Sequence, residues 1–178
     1  PPPSPTHLLP LSLPRPCCPK ELMRVLPPAL RENIKGHINA AFDFPELSRL
    51  ALGAHWQERT PEDRDHFIRT FSGIIEEQNF DSFLRYYREG KITYESAERD
   101  GDATIVVAKV PLQRDEIEIV YKLHQVQKAW RVYDIVIDGV STAEGNRRRY
   151  ARYIEKKGYE KLIAQLDKQL ARLRQTRN

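Results

Sequence analysis

The sequence predicts an α+β domain: N-terminal helices, a four-stranded curled antiparallel sheet, then closing helices. Three observations predict it. Apolar residues recur at helical spacing up to Tyr87, they alternate with a period of two from about Ile92 to Val140, and helical spacing returns after Asn146.

The first thirty residues, opening PPPSPTHLLPLSLPRPCCP, are proline-rich and exclude a helix there. They do not form a standard signal peptide, because the apolar stretch is short and broken by proline. They are set apart as a tail (1–30), leaving one domain over 31–175. In NIKGHINAAFDF, Ile34, Ile38 and Phe42 lie four apart on one side of a helix. FPELSRLALG is a short helix with Pro45 in its first turn and Gly53 closing it. The clearest helix follows, with Thr60 as cap, Pro61 at its first position, and Glu62 and Asp63 complementing the dipole. Its stripes Phe67, Phe71, Ile74, Ile75 and Phe80, Phe83, Leu84, Tyr87 are out of phase, which predicts a break or bend near Gln78.

After Gly90, the segments KITYES, ATIVVAKVPL, EIEIVYKLHQV and AWRVYDIVIDGV read as four strands joined by short links, hence an antiparallel meander. In the third, Ile117, Ile119, Tyr121 and Leu123 face one way and Glu116, Glu118 and Lys122 the other. The tail is helical, interrupted at Gly158, with Leu162, Ile163, Leu166, Leu170 and Leu173 as its apolar stripe.

Composition bounds the function. The chain has 178 residues, 40% hydrophobic and 30% charged, as in a folded globular domain. No apolar run reaches the roughly 20 residues of a membrane-spanning helix. The net charge of +4 permits an anionic partner without arguing for nucleic acid. Cys17 and Cys18 are adjacent, a strained geometry for a disulfide, and no zinc spacing is present. His37, His55, His66 and His124 are scattered, with His7 in the tail, so no metal or other cofactor is assigned.

Asp134 and Asp138 share a strand and admit two readings: a general base in a pocket, or structural carboxylates at a turn. The second is favoured. Ser141 has no nucleophile-elbow motif around it; Gly139 permits a bend and Ser141 caps the last helix. Arg147, Arg148 and Arg149 fall in the first turn of that helix, where the dipole opposes positive charge. They are candidate contacts to a partner or a headgroup, weighed against a plain solvated face, which composition favours.

FDFPELSRLALGAHW, TPEDRDHFIRTF and WRVYDIVIDGVS with a following arginine, then KKGYEKLIAQL, resemble the MlaC family. This is also the toluene-tolerance auxiliary family, with a hopanoid-associated branch. The resemblance runs from about Asn33 to Leu170. Two departures stand out: the proline-rich start in place of a signal and long first helix, and Thr142 to Arg147 in place of an apolar run. The second suggests a hopanoid or related lipid.

The resemblance implies a monomeric periplasmic carrier, not an enzyme, that holds phospholipid by its acyl chains between a cystatin-like curled sheet and helices. It implies as partners an inner-membrane ABC transporter complex and an outer-membrane lipoprotein complex. The sheet wall would comprise Tyr94, Val106, Ala108, Val110, Ile119, Tyr121, Tyr133, Ile135 and Ile137. The opposing wall would comprise Phe67, Phe71, Ile74, Phe83 and Leu84. Composition alone reads the same residues as ordinary core.

Overall fold

A computed structural model describes residues 28–89, 92–111 and 116–175. Helix α1 (Pro28–Ala40) begins inside the segment set apart as a tail. The chain then leaves the helix, so Phe42 forms an isolated parallel bridge with Val132 and does not extend the Ile34–Ile38 stripe. Asp43 caps α2 (Phe44–Leu52) by accepting from the Glu46 amide at 3.1 Å, and Pro45 occupies the first turn. A tight helical turn, Gly53–Trp56, follows.

Helix α3 (Pro61–Glu89) starts with a reciprocal cap: the Asp63 amide donates to Thr60 Oγ1 at 3.1 Å, and the Thr60 amide to Asp63 Oδ2 at 3.3 Å. The helix runs without a break through Gln78. Its N-terminal stripe is held by tertiary packing.

The sheet is an antiparallel meander in the order β1 (Thr93–Asp100), β2 (Ala103–Pro111), β3 (Glu116–Val126), β4 (Ala129–Ile137), β5 (Val140–Ser141). The fifth strand is too short for its alternation to be visible in sequence. Two-residue turns join β3 to β4 and β4 to β5. Gln127 and Lys128, then Asp138 and Gly139, all have positive φ, the mirror-image turn that matches strand twist. Register shifts at Tyr94/Ser96 and opposite Lys122/Leu123 bend the sheet. Helices α4 (Thr142–Lys157) and α5 (Tyr159–Gln175) close the chain, separated at Gly158 as expected.

The main core lies among the helices. Leu47, Leu52, Phe67, Phe71, Ile74, Tyr150, Leu162 and Leu166 are buried there with their neighbours. Phe67 and Phe71 stack at 5.5 Å, and each meets Tyr150 edge-on at 6.0 Å.

Candidate functional site: an apolar sheet face

Residues directly opposite in an antiparallel pair project from the same side of the sheet. Val106, Ala108 and Val110 pair with Tyr121, Ile119 and Ile117. Ile119 and Tyr121 pair in turn with Ile137 and Ile135. Three central strands therefore present one continuous aliphatic face carrying a single phenol. Ala108 and Val110 are 0% exposed and Ile119 is 3% exposed, while the surrounding members are half-buried. Val110 and Ile119 form a buried cluster with Ile92, Ile117, Tyr121 and Ile135 packed against it. Among the described residues, that cluster is distinct from the helical core.

The site residues expected from sequence divide accordingly. Val106, Ala108, Val110, Ile119, Tyr121, Ile135 and Ile137 share the face, joined by Ile117. Tyr94 pairs with Ala108 but stands on the edge strand just before a bulge and is 67% exposed, so it is not enclosed. Tyr133 is a correction. Lys122 pairs with Asp134 but Leu123 pairs with Val132, which makes Tyr133 the extra residue of a bulge. Its ring lies 5.0 Å from that of His124, on the opposite side from Tyr121 and Leu123. Val132 takes the apolar side in its place.

Phe67, Phe71 and Ile74, expected on the opposing wall, are buried in the helical core. Phe83 and Leu84 lie on the backbone of α3, but their side chains fall outside the described residues.

Asp134 and Asp138 do not converge. Asp134, buried on the other side of the sheet from Ile135, accepts from the Ser141 hydroxyl at 2.7 Å and the Ala143 amide at 3.0 Å. Lys122 Nζ stands 3.5 Å away. Ser141 accepts the Glu144 amide at 3.0 Å, which is the helix cap read from the sequence. Asp138 sits exposed in its turn and accepts the Glu118 amide at 3.1 Å. Both carboxylates hold backbone in place.

The arginines also differ from expectation. Helix α4 starts at Thr142, so Arg147, Arg148 and Arg149 occupy its second turn, beyond the strongest dipole field. Arg147 grips both Glu144 carboxylate oxygens, at 2.6 and 2.8 Å, and Arg148 adds a bond at 2.7 Å. These hydrogen bonds, Arg147's foremost, hold the Glu144 carboxyl down at about 2. Arg149 donates to Asn146 and lies 5.0 Å over the Tyr150 ring. Two of the three guanidinium groups therefore share the single Glu144 carboxylate.

His124 bonds Asp43, His66 bonds Asp167 and His55 bonds Glu58, each in a separate place. Among the described residues, no three His, Cys, Asp or Glu side chains gather as a metal site would require.

The MlaC protein family matches residues 20–168 of this chain. The chain belongs to the MlaC family. A curated MlaC relative, the intermembrane phospholipid transport system binding protein MlaC of Haemophilus influenzae, is 26% identical over 146 residues. That alignment covers 79% of this chain and 68% of the relative. Among solved structures, a phospholipid-binding protein of Ralstonia solanacearum, in complex with a phospholipid, superposes with a TM-score of 0.70 at 21% identity. It covers 87% of this chain and 92% of that one. The likeness establishes a shared fold.

Proposed function

We propose that this chain is a non-enzymatic periplasmic carrier that holds phospholipid, or a related lipid such as a hopanoid, by its apolar part against the sheet face. It exchanges that cargo between an outer-membrane lipoprotein complex and an inner-membrane ABC transporter complex. The observation that carries the reading is the continuous apolar sheet face from Val106 to Ile137, whose buried centre at Val110 and Ile119 is, among the described residues, distinct from the helical core.

Energetics fit such a role. Each lipid methylene kept from water is worth about 0.8 kcal/mol. A bilayer already supplies that shelter, so a carrier offering a comparable apolar surface exchanges lipid at nearly balanced free energy. Few polar anchors are needed, which suits a face of Val, Ala and Ile with a single Tyr.

Mass spectrometry of organic extracts from natively purified protein tests the proposal. Stoichiometric lipid with acyl chains or a hopanoid skeleton is the expected result. Protein that yields none, and also rejects lipid added from vesicles, overturns it.

A further inference from the structure

Helices α4 and α5 frame a second feature, remote in kind from the apolar face. Between them lies an open groove of about 520 Å³ lined by Tyr153, Lys157, Lys161, Ala164, Gln165 and Lys168. On α4, Tyr153 and Lys157 are four residues apart; on α5, the four lining residues follow at helical spacing along one stripe. That stripe is exposed, whereas Leu162, Ile163, Leu166 and Leu170 of the same helix are buried in the core.

Among the described residues, none of the three lysines is ion-paired. Lys157 Nζ lies 5.3 Å over the Tyr153 ring, a contact that leaves its charge unneutralised. The contrast with Arg147 and Arg148 on the same helix, both held by Glu144, is informative. These three lysines, unpaired among the described residues, line one open groove, where their fields add.

We infer that this groove docks an acidic, helical or extended segment of a protein partner. Three dispersed ammonium groups suit several carboxylates spaced along a chain, whereas phosphate recognition favours the guanidinium fork. The floor of Tyr153 and Ala164 accepts an apolar side chain between those carboxylates. The groove lies on the outer stripe of α5, whose principal packing partners among the described residues are α3 and α4. Docking there leaves the apolar sheet face free for cargo. The inference rests on the carrier reading only in giving the carrier something to dock with.

The test uses the full chain and a synthetic amphipathic peptide with glutamates four residues apart beside a leucine stripe. Calorimetry should register binding that weakens with added salt. Amide resonances of Tyr153, Ala164 and Gln165 should move. The triple variant Lys157→Glu, Lys161→Glu, Lys168→Glu should lose at least about tenfold in affinity, and the Lys→Gln triple should lose less. The control Arg147→Gln, Arg148→Gln should bind as the parent does. An absence of peptide binding, equal affinity in the lysine variants, or perturbations mapping elsewhere would overturn the inference. So would parent protein that ignores the peptide but binds phosphatidylglycerol vesicles through these lysines. Bound lipid, assayed on the same samples, should be equal in all variants; its absence from the parent would sink the carrier reading and leave the docking result intact.

Discussion

Asp134 accepts the Ser141 hydroxyl at 2.7 Å, and Ser141 Oγ accepts the Glu144 amide at 3.0 Å. This two-step relay ties the middle of β4 to the first turn of α4. The Ala143 amide, bonded to the other Asp134 oxygen, completes the anchorage. A carboxylate set into an apolar strand is thereby explained as the joint between sheet and helical layer.

Asp134→Ala should therefore destabilise the fold without emptying it of lipid. It strands the buried Ala143 amide and frees the capping serine, at about 1–3 kcal/mol for the unsatisfied donor alone. Asp134→Asn keeps the shape and one acceptor and should cost less. Denaturant unfolding together with bound-lipid assays checks both. A variant of parental stability with lost lipid would mean that the carboxylate serves the cargo instead.

How far the sequence carried is visible on β3 and β4. On β3, strict alternation placed Ile119 and Tyr121 on the right face, because an unbulged strand keeps period two. On β4 the same rule misassigned Tyr133. The signal was present in the spacing, since Trp130 and Val132 have one parity and Ile135 and Ile137 the other, and a parity change marks an inserted residue. The helical side was harder to read. Phe67 and Phe71 have the same composition and spacing whether they face a core or a cavity. Only their edge-on packing with Tyr150, about eighty positions along the chain, decides it, and no local pattern encodes that contact.

The division between core and cargo face predicts opposite responses to substitution. Phe71→Ala removes a ring that stacks on Phe67 and meets Tyr150, and should cost about 3–5 kcal/mol. Ile135→Trp adds bulk at the half-buried margin of the sheet cluster. In a filled core that overpacking costs about 1–3 kcal/mol. Against a lipid-holding surface it should cost less, while bound lipid falls. Thermal unfolding and lipid stoichiometry measured on both proteins separate the cases. A severely unstable Ile135→Trp with normal lipid content counts against the sheet face as the cargo site.

Glu144 gives a pH prediction. Hydrogen bonds from Arg147 and Arg148 depress its carboxyl from 4.5 to about 2. The folded state thus binds that proton less readily than the unfolded chain. The stabilisation is complete above 4.5 and is lost as pH falls through about 2. Relative to the parent, Glu144→Gln should show its full deficit in neutral solution, and the gap should close across that acidic window. Side-chain carboxyl titration by NMR should place the Glu144 midpoint near the lower end. An unshifted midpoint would show that the arginines do not hold the carboxylate in solution.

The same arginine reaches back to the end of α2. Gly53 closes that helix with φ +59° and ψ −131°, a conformation that side chains other than glycine's rarely adopt. A Cβ at this position would stand 3.0 Å from both Cγ and Cδ of Arg147. Gly53→Ala therefore meets two obstacles: backbone strain of about 1–3 kcal/mol, and an Arg147 stem that must move and loosen its grip on Glu144. The variant should lose stability, and its Glu144 midpoint should rise from about 2 towards 4.5. A double-mutant cycle with Arg147→Ala separates the two contributions. Backbone strain persists in the double variant, whereas the steric part vanishes once Cγ and Cδ of residue 147 are removed. Gly53→Ala with parental stability and an unmoved Glu144 midpoint would refute the contact between the α2 terminus and α4.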